Sequence, residues 1–141
     1  FLVERAILPL ATEFDPQAIV ITCGADPLEG DPLSKLSLSN GGLWQAVEKL
    51  VACCNRAVVL GGGGYNPWTV FRCWCGLWGR LSGQSIPGEL PRPAQQFLGS
   101  LDCDLIDDED VPGDWISRLV DEPNGGPVRS QIEALPALVL N

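Results

Sequence analysis

Two side chains in this sequence, Asp26 and Tyr65, stand where they could do chemistry, each on a glycine-bearing loop that follows a short apolar run. The first loop reads Cys23-Gly24-Ala25-Asp26-Pro27-Leu28-Glu29-Gly30-Asp31-Pro32-Leu33. In open α/β sheets ligands bind at the carboxyl ends of the strands, because loops there are held on a rigid scaffold and converge on one crevice. A carboxylate at Asp26 can ligate a metal in such a place, or Asp26 and Asp31 can cap turns beside Gly and Pro. The second loop reads Leu60-Gly61-Gly62-Gly63-Gly64-Tyr65-Asn66-Pro67. Its four glycines let the backbone take positive φ, pass close to a ligand and present Tyr65 on a short tether. A phosphate cradle does not fit, since no Gly-Lys-Ser/Thr follows and the third glycine of a G-x-G-x-x-G pattern falls on Asn66. A tight strand-to-helix turn with Tyr65 as packing is the other reading of the same residues.

Both loops need strands behind them. Residues 18–23 and 57–60 are short, apolar and β-branched, as expected of buried strands in a parallel sheet. Residues 2–13 carry apolar side chains at helical spacing, disturbed near the end by Pro9 and broken at Asp15-Pro16. Ser39 and Asn40 offer caps for a helix to about Cys53, with Leu43, Trp44, Val47, Leu50 and Val51 along one side. Pro67 opens a third helix that reaches Leu81. Helix, strand, helix, strand, helix is the pattern of an α/β fold with a parallel sheet, and further elements are needed to pair its edges and cover its faces. Downstream, residues 83–93 are turn-rich, residues 101–114 hold seven acidic side chains that read as a solvated surface loop, and 115–120 and 128–140 read as closing helices.

The 141 residues suffice for one domain with a core. A net charge of −9 with the nine Lys and Arg scattered argues against direct nucleic-acid binding. The apolar runs are far shorter than the ~20 residues a bilayer span needs, and the first ten residues contain Glu4, Arg5 and Pro9, unlike a signal core. Six cysteines occur without a C-x-x-C pair and without any histidine to complete a mixed zinc knuckle. They read as small buried hydrophobes in a reducing compartment, the cytoplasm, with disulfides as the alternative.

Taken together, Gly24-Ala25-Asp26 with Gly30-Asp31-Pro32-Leu33, then Gly61 to Tyr65 followed by Arg72-Cys73-Trp74, resemble the paired loop motifs of the histone deacetylase superfamily. The match spans roughly residues 6–81, and Asn66-Pro67-Trp68-Thr69 looks most like the bacterial acetoin utilization proteins of that superfamily. The resemblance implies an arginase-like three-layer α/β fold and zinc-dependent hydrolysis of acetyl-lysine amides, with the metal held by two aspartates and a histidine. It makes Asp26 the second of those aspartates and Tyr65 the donor to the substrate carbonyl. It also assigns Pro32 and Leu33 to the wall of the acetyl-lysine channel, and Gly63 and Gly64 to the substrate site.

Enzymes of the superfamily also need a pair of histidines as general acid and base, and this sequence has none. The chain is therefore expected to be the C-terminal portion (1–141) of a single deacetylase-like domain whose N-terminal portion is absent, and to be inactive by itself. A non-catalytic acetyl-lysine-binding module and a structural remnant of the fold are the other readings. The implied partner is an acetylated lysine side chain of a protein or a small acetylated amide, with neither nucleic acid nor membrane.

Overall fold

In the computed structural model, which describes residues 1–140, β1 (Ile19–Cys23) and β2 (Ala57–Gly61) pair in parallel from Ile19 opposite Ala57 to Cys23 opposite Gly61. Parallel neighbours need a crossover, and α2 (Asn40–Val51) supplies it. The chain is α/β with a parallel sheet, as its alternating pattern predicts.

One face of the sheet is packed and the other is open. Ile21 and Cys23 enter a core with Trp44 and Val47 of α2 and Trp68 and Leu77 of α3 (Pro67–Leu81). On the opposite face Val20, Val58 and Leu60 are 64%, 52% and 47% exposed. An apolar groove of about 800 Å³ runs on between β1 and α1 (Leu8–Phe14), lined by Ile7, Leu10, Phe14 and Val20 among others. The helix enters α1 through π-helical turns over Val3–Ile7, and Pro9, whose missing N–H interrupts the α pattern, falls just past that junction. Asp15 ends it in the left-handed region at φ 48°, and an ion pair from Lys49 of α2 to Glu4 ties the segment down.

The two long helices are fastened at several points. The Trp44 ring lies where a methyl on Gly76 would overlap it, and its Nε1 donates to the Cys73 carbonyl at 2.9 Å. Arg80 grips Glu48 with two bonds of 2.8 and 2.7 Å. Arg72, fully buried, donates through Nε to the Arg118 carbonyl at 2.8 Å and through a terminal nitrogen to Asp121 at 2.5 Å. Asp121 in turn accepts the Asn40 N–H at 2.8 Å, while the Asn40 side chain accepts the Asp121 N–H at 3.0 Å. A charge taken from water is thus fully paired, which a buried guanidinium requires.

Two downstream expectations are corrected and one helix is added. The acidic stretch 101–114 is not simply solvated: Leu101, Cys103, Ile106 and Val111 pack on the core while Asp102, Asp104 and Glu109 between them face water. The side chain of Asp108 lies outside the described residues. A helix that the sequence reading passed over, α4 (Arg92–Leu98), buries Leu98, whose carbonyl accepts the Trp68 indole N–H at 2.8 Å. The helix expected over 115–120 is the shorter and earlier α5 (Gly113–Ser117), and α6 (Ser130–Val139) falls within 128–140. All six cysteines are free, but only Cys23 and Cys73 are buried and Cys75 is exposed. Burial pushes the Cys73 thiol up to about 12 and raises that of Cys75 less. Among the described residues no helix is long and apolar enough to cross a membrane.

Candidate active site

Because β1 and β2 run parallel and in register, both glycine loops leave the same end of the sheet. The loops interlock through their backbones. Ala25 N–H donates to the Gly63 carbonyl at 2.6 Å, and a methyl on Gly62 would lie 3.0 Å from the Gly24 Cα and N. A methyl on Gly63 would come 2.7 Å from the carboxyl carbon of Asp26. At Gly64 φ is +139°, and a methyl there would press to 2.7 Å from the Val70 side chain. Close approach, rather than positive φ at each position, is what these glycines provide, since of the four only Gly64 has positive φ.

Asp26 sits half-buried in this crevice, its carboxylate against Gly24 and Gly63. Among the described residues no donor engages that carboxylate, so turn capping is not its role. Its charge is felt by the preceding strand residue: the Cys23 thiol is pushed up first by burial and then by Asp26.

Asp31 does cap a turn, accepting the Leu33 N–H on Oδ1 at 2.9 Å. Its other oxygen crosses to the second loop and accepts the Tyr65 N–H at 2.8 Å. The second loop answers, for Asn66 Nδ2 donates to the Gly30 carbonyl at 2.9 Å while its Oδ1 caps α3 by accepting Trp68 and Thr69 N–H at 3.0 and 3.2 Å. The Cys103 thiol completes the setting as a weak donor to the Tyr65 carbonyl at 3.8 Å. Tyr65 therefore has a pinned backbone, and the residue is 49% exposed in this chain.

The structure brings Asp26 against Gly63, and Gly64 against Ala25, within one crevice. Pro32 and Leu33 lie exposed beyond the turn and are coupled to Tyr65 through Asp31. Asn66 and Cys103 were not singled out by the sequence reading, and Asp31 only as a turn former. Asn66 did carry a signal, an Asn directly before the Pro that opens a helix. A metal needs more donors than are gathered here. Among the described residues no three His, Cys, Asp or Glu converge, so this chain by itself does not fit a zinc ion.

A carboxylate and a tyrosine on interlocked glycine loops thus stand at the carboxyl end of a parallel sheet, the edge at which open α/β sheets generally bind ligands. The family model for the histone deacetylase domain matches residues 1–81, and the chain belongs to that family. Histone deacetylase 8 of Danio rerio is 35% identical over 78 residues, covering 55% of this chain and 21% of the relative. Histone deacetylase 7 of Arabidopsis thaliana is 36% identical over 78 residues, with 55% and 19% covered. A crystal structure of an HDAC homologue from Aquifex aeolicus matches with a TM-score of 0.88 at 33% identity, over 99% of this chain and 37% of that one. The homologue solved in complex with SAHA matches to the same extent. The chain thus has the fold of these homologues and spans about a fifth of the length of the curated relatives.

Proposed function

We propose that the chain is the C-terminal portion of a zinc-dependent deacetylase domain that hydrolyses acetyl-lysine-type amides, completed by residues outside these 141. The observation that carries this reading is the unengaged Asp26 carboxylate, set between Gly24 and Gly63 and flanked by the loop that ends in Tyr65. The histone deacetylase names of the relatives and the SAHA bound to a homologue support it. Asp26 would be a ligand to the zinc of such an enzyme, and the other ligands and the proton-transferring groups would come from outside the chain. Tyr65 donates its hydroxyl hydrogen bond to the amide carbonyl oxygen as negative charge grows there. Its backbone is already held, so little reorganisation is needed when that charge appears. Pro32 and Leu33 offer apolar surface to the methylenes of the acetylated side chain.

Without an imidazole the 141-residue chain alone turns over no substrate. Within the family, Asn66-Pro67-Trp68-Thr69 favours the acetoin utilization branch, and six free thiols accord with the reducing cytoplasm. The test is made on the completed enzyme. Tyr65→Phe is expected to keep fold and zinc while kcat falls about 10²-fold or more. Asp26→Ala is expected to lower the zinc measured per protein. Near wild-type turnover in the first variant overturns the role of Tyr65, and unchanged zinc in the second overturns that of Asp26.

A further inference from the structure

A carboxylate that is almost wholly buried, at 6% exposure, and has each oxygen on a different loop is an unusual use of an aspartate. Asp31 holds the Leu33 N–H with one oxygen and the Tyr65 N–H with the other, the second contact reaching across 34 residues of sequence. Tyr65 comes at the end of four consecutive glycines, the least constrained kind of backbone. A stalk of that kind aims a side chain only if something fixes its far end.

We propose that Asp31, seconded by Asn66, is the positioning residue of this site: it fixes where the Tyr65 hydroxyl stands and locks that donor to the Pro32 and Leu33 wall. The proposal rests on reading Tyr65 as the oxyanion donor. Hydrogen bonds to an ionised acceptor are about twice as strong as those between neutral groups, so the carboxylate is a firm anchor for a glycine-led loop. Here the two N–H donors lie on opposite sides of the carboxylate and meet different oxygens, Oδ1 and Oδ2. An amide of the same shape has only one oxygen, and its NH₂ would face an N–H instead. The first loop therefore divides its two aspartates between tasks, since among the described residues Asp26 meets no donor while Asp31 is committed on both sides. Asn66 adds the second link in the opposite direction, from the tyrosine's own loop to the Gly30 carbonyl.

The test is a double-mutant cycle on the completed, zinc-loaded enzyme with Asp31→Asn, Tyr65→Phe and the pair. Asp31→Asn is expected to lower kcat about tenfold or more, as a small misplacement of a reacting group does. In the Tyr65→Phe background the same change is expected to cost less than about twofold, because the hydroxyl it positions is gone. An undiminished kcat in Asp31→Asn, or an equal loss in both backgrounds, overturns the proposal while leaving the Tyr65 assignment intact. If Tyr65→Phe alone leaves kcat unaltered, the underlying reading of Tyr65 fails and Asp31 falls with it. Should Asp31→Asn not fold, Asn66→Asp keeps the cap of α3 and removes the link to Gly30. It is expected to lower kcat only while the Tyr65 hydroxyl is present, and an equal loss in both backgrounds overturns the proposal.

Discussion

The carboxyl end of the sheet and its uncovered face are built to different standards. At the carboxyl end, backbone meets backbone at Ala25 and Gly63, and paired links join Asp31 to Tyr65 and Asn66 to Gly30. On the uncovered face Val20, Val58 and Leu60 stand in water beside a wide apolar groove. Placement of the candidate site residues is therefore decided by contacts inside this chain, whereas the cover of the sheet is not. Parallel sheets are ordinarily buried on both faces, so the second region is the one that calls for association.

That contrast can be broken experimentally, and the largest effect is expected at the tight end. Gly64→Ala puts a side chain at φ +139° and against Val70 and Ala25. Strain and overpacking together are expected to cost about 3 kcal/mol, read from the urea midpoint. A loss below about 1 kcal/mol would mean that the loops have more room than the distances allow. A smaller effect is expected at the open face. The 141-residue chain is predicted to self-associate in gel filtration, and Val58→Ser with Leu60→Ser to shift it toward monomer while changing its urea stability by under about 1 kcal/mol. A monodisperse parent chain, or a mutant that unfolds, would show that the face is already covered.

A pH-dependent effect of modest size concerns Cys73, buried behind the site and raised to about 12 by burial first. A thiol kept neutral in the folded chain contributes its full stabilisation below the unfolded value near 9, and that contribution is lost progressively between there and about 12. Going from pH 8 to pH 10 is thus expected to lower stability by about 1 kcal/mol through this group. Cys73→Ala is the control, and an identical pH dependence in it would remove the thiol from the account.

What could be read in the sequence was whatever repeats locally. The β-branched runs, the Ser39 cap, Pro67 and the glycines before Tyr65 each act within a few residues, and the strands differ from expectation by one residue at an end. The acidic segment misled because charge dominated its composition while Leu101, Cys103, Ile106 and Val111 carry its contacts. Helix α4, opened by Arg92-Pro93 and only seven residues long, offers too few turns for a period to show. The partners of Asp31 were illegible for a different reason. A carboxylate beside Gly and Pro looks the same whether it caps its own turn or also holds a backbone N–H on a distant loop.

The Arg72, Asp121 and Asn40 cluster has a consequence for synthesis. Asp121 lies 49 residues after Arg72 and 81 after Asn40, whereas the link from Asp31 to Tyr65 spans 34. On a ribosome adding about 5–20 residues per second, the glycine loops can close seconds before the carboxylate that neutralises the arginine has emerged. During that interval α3 carries a guanidinium whose carboxylate partner has not been made, a charge that is costly to bury alone. The order of synthesis thus sets the loop-to-loop link before the ion pair that the helix interior requires.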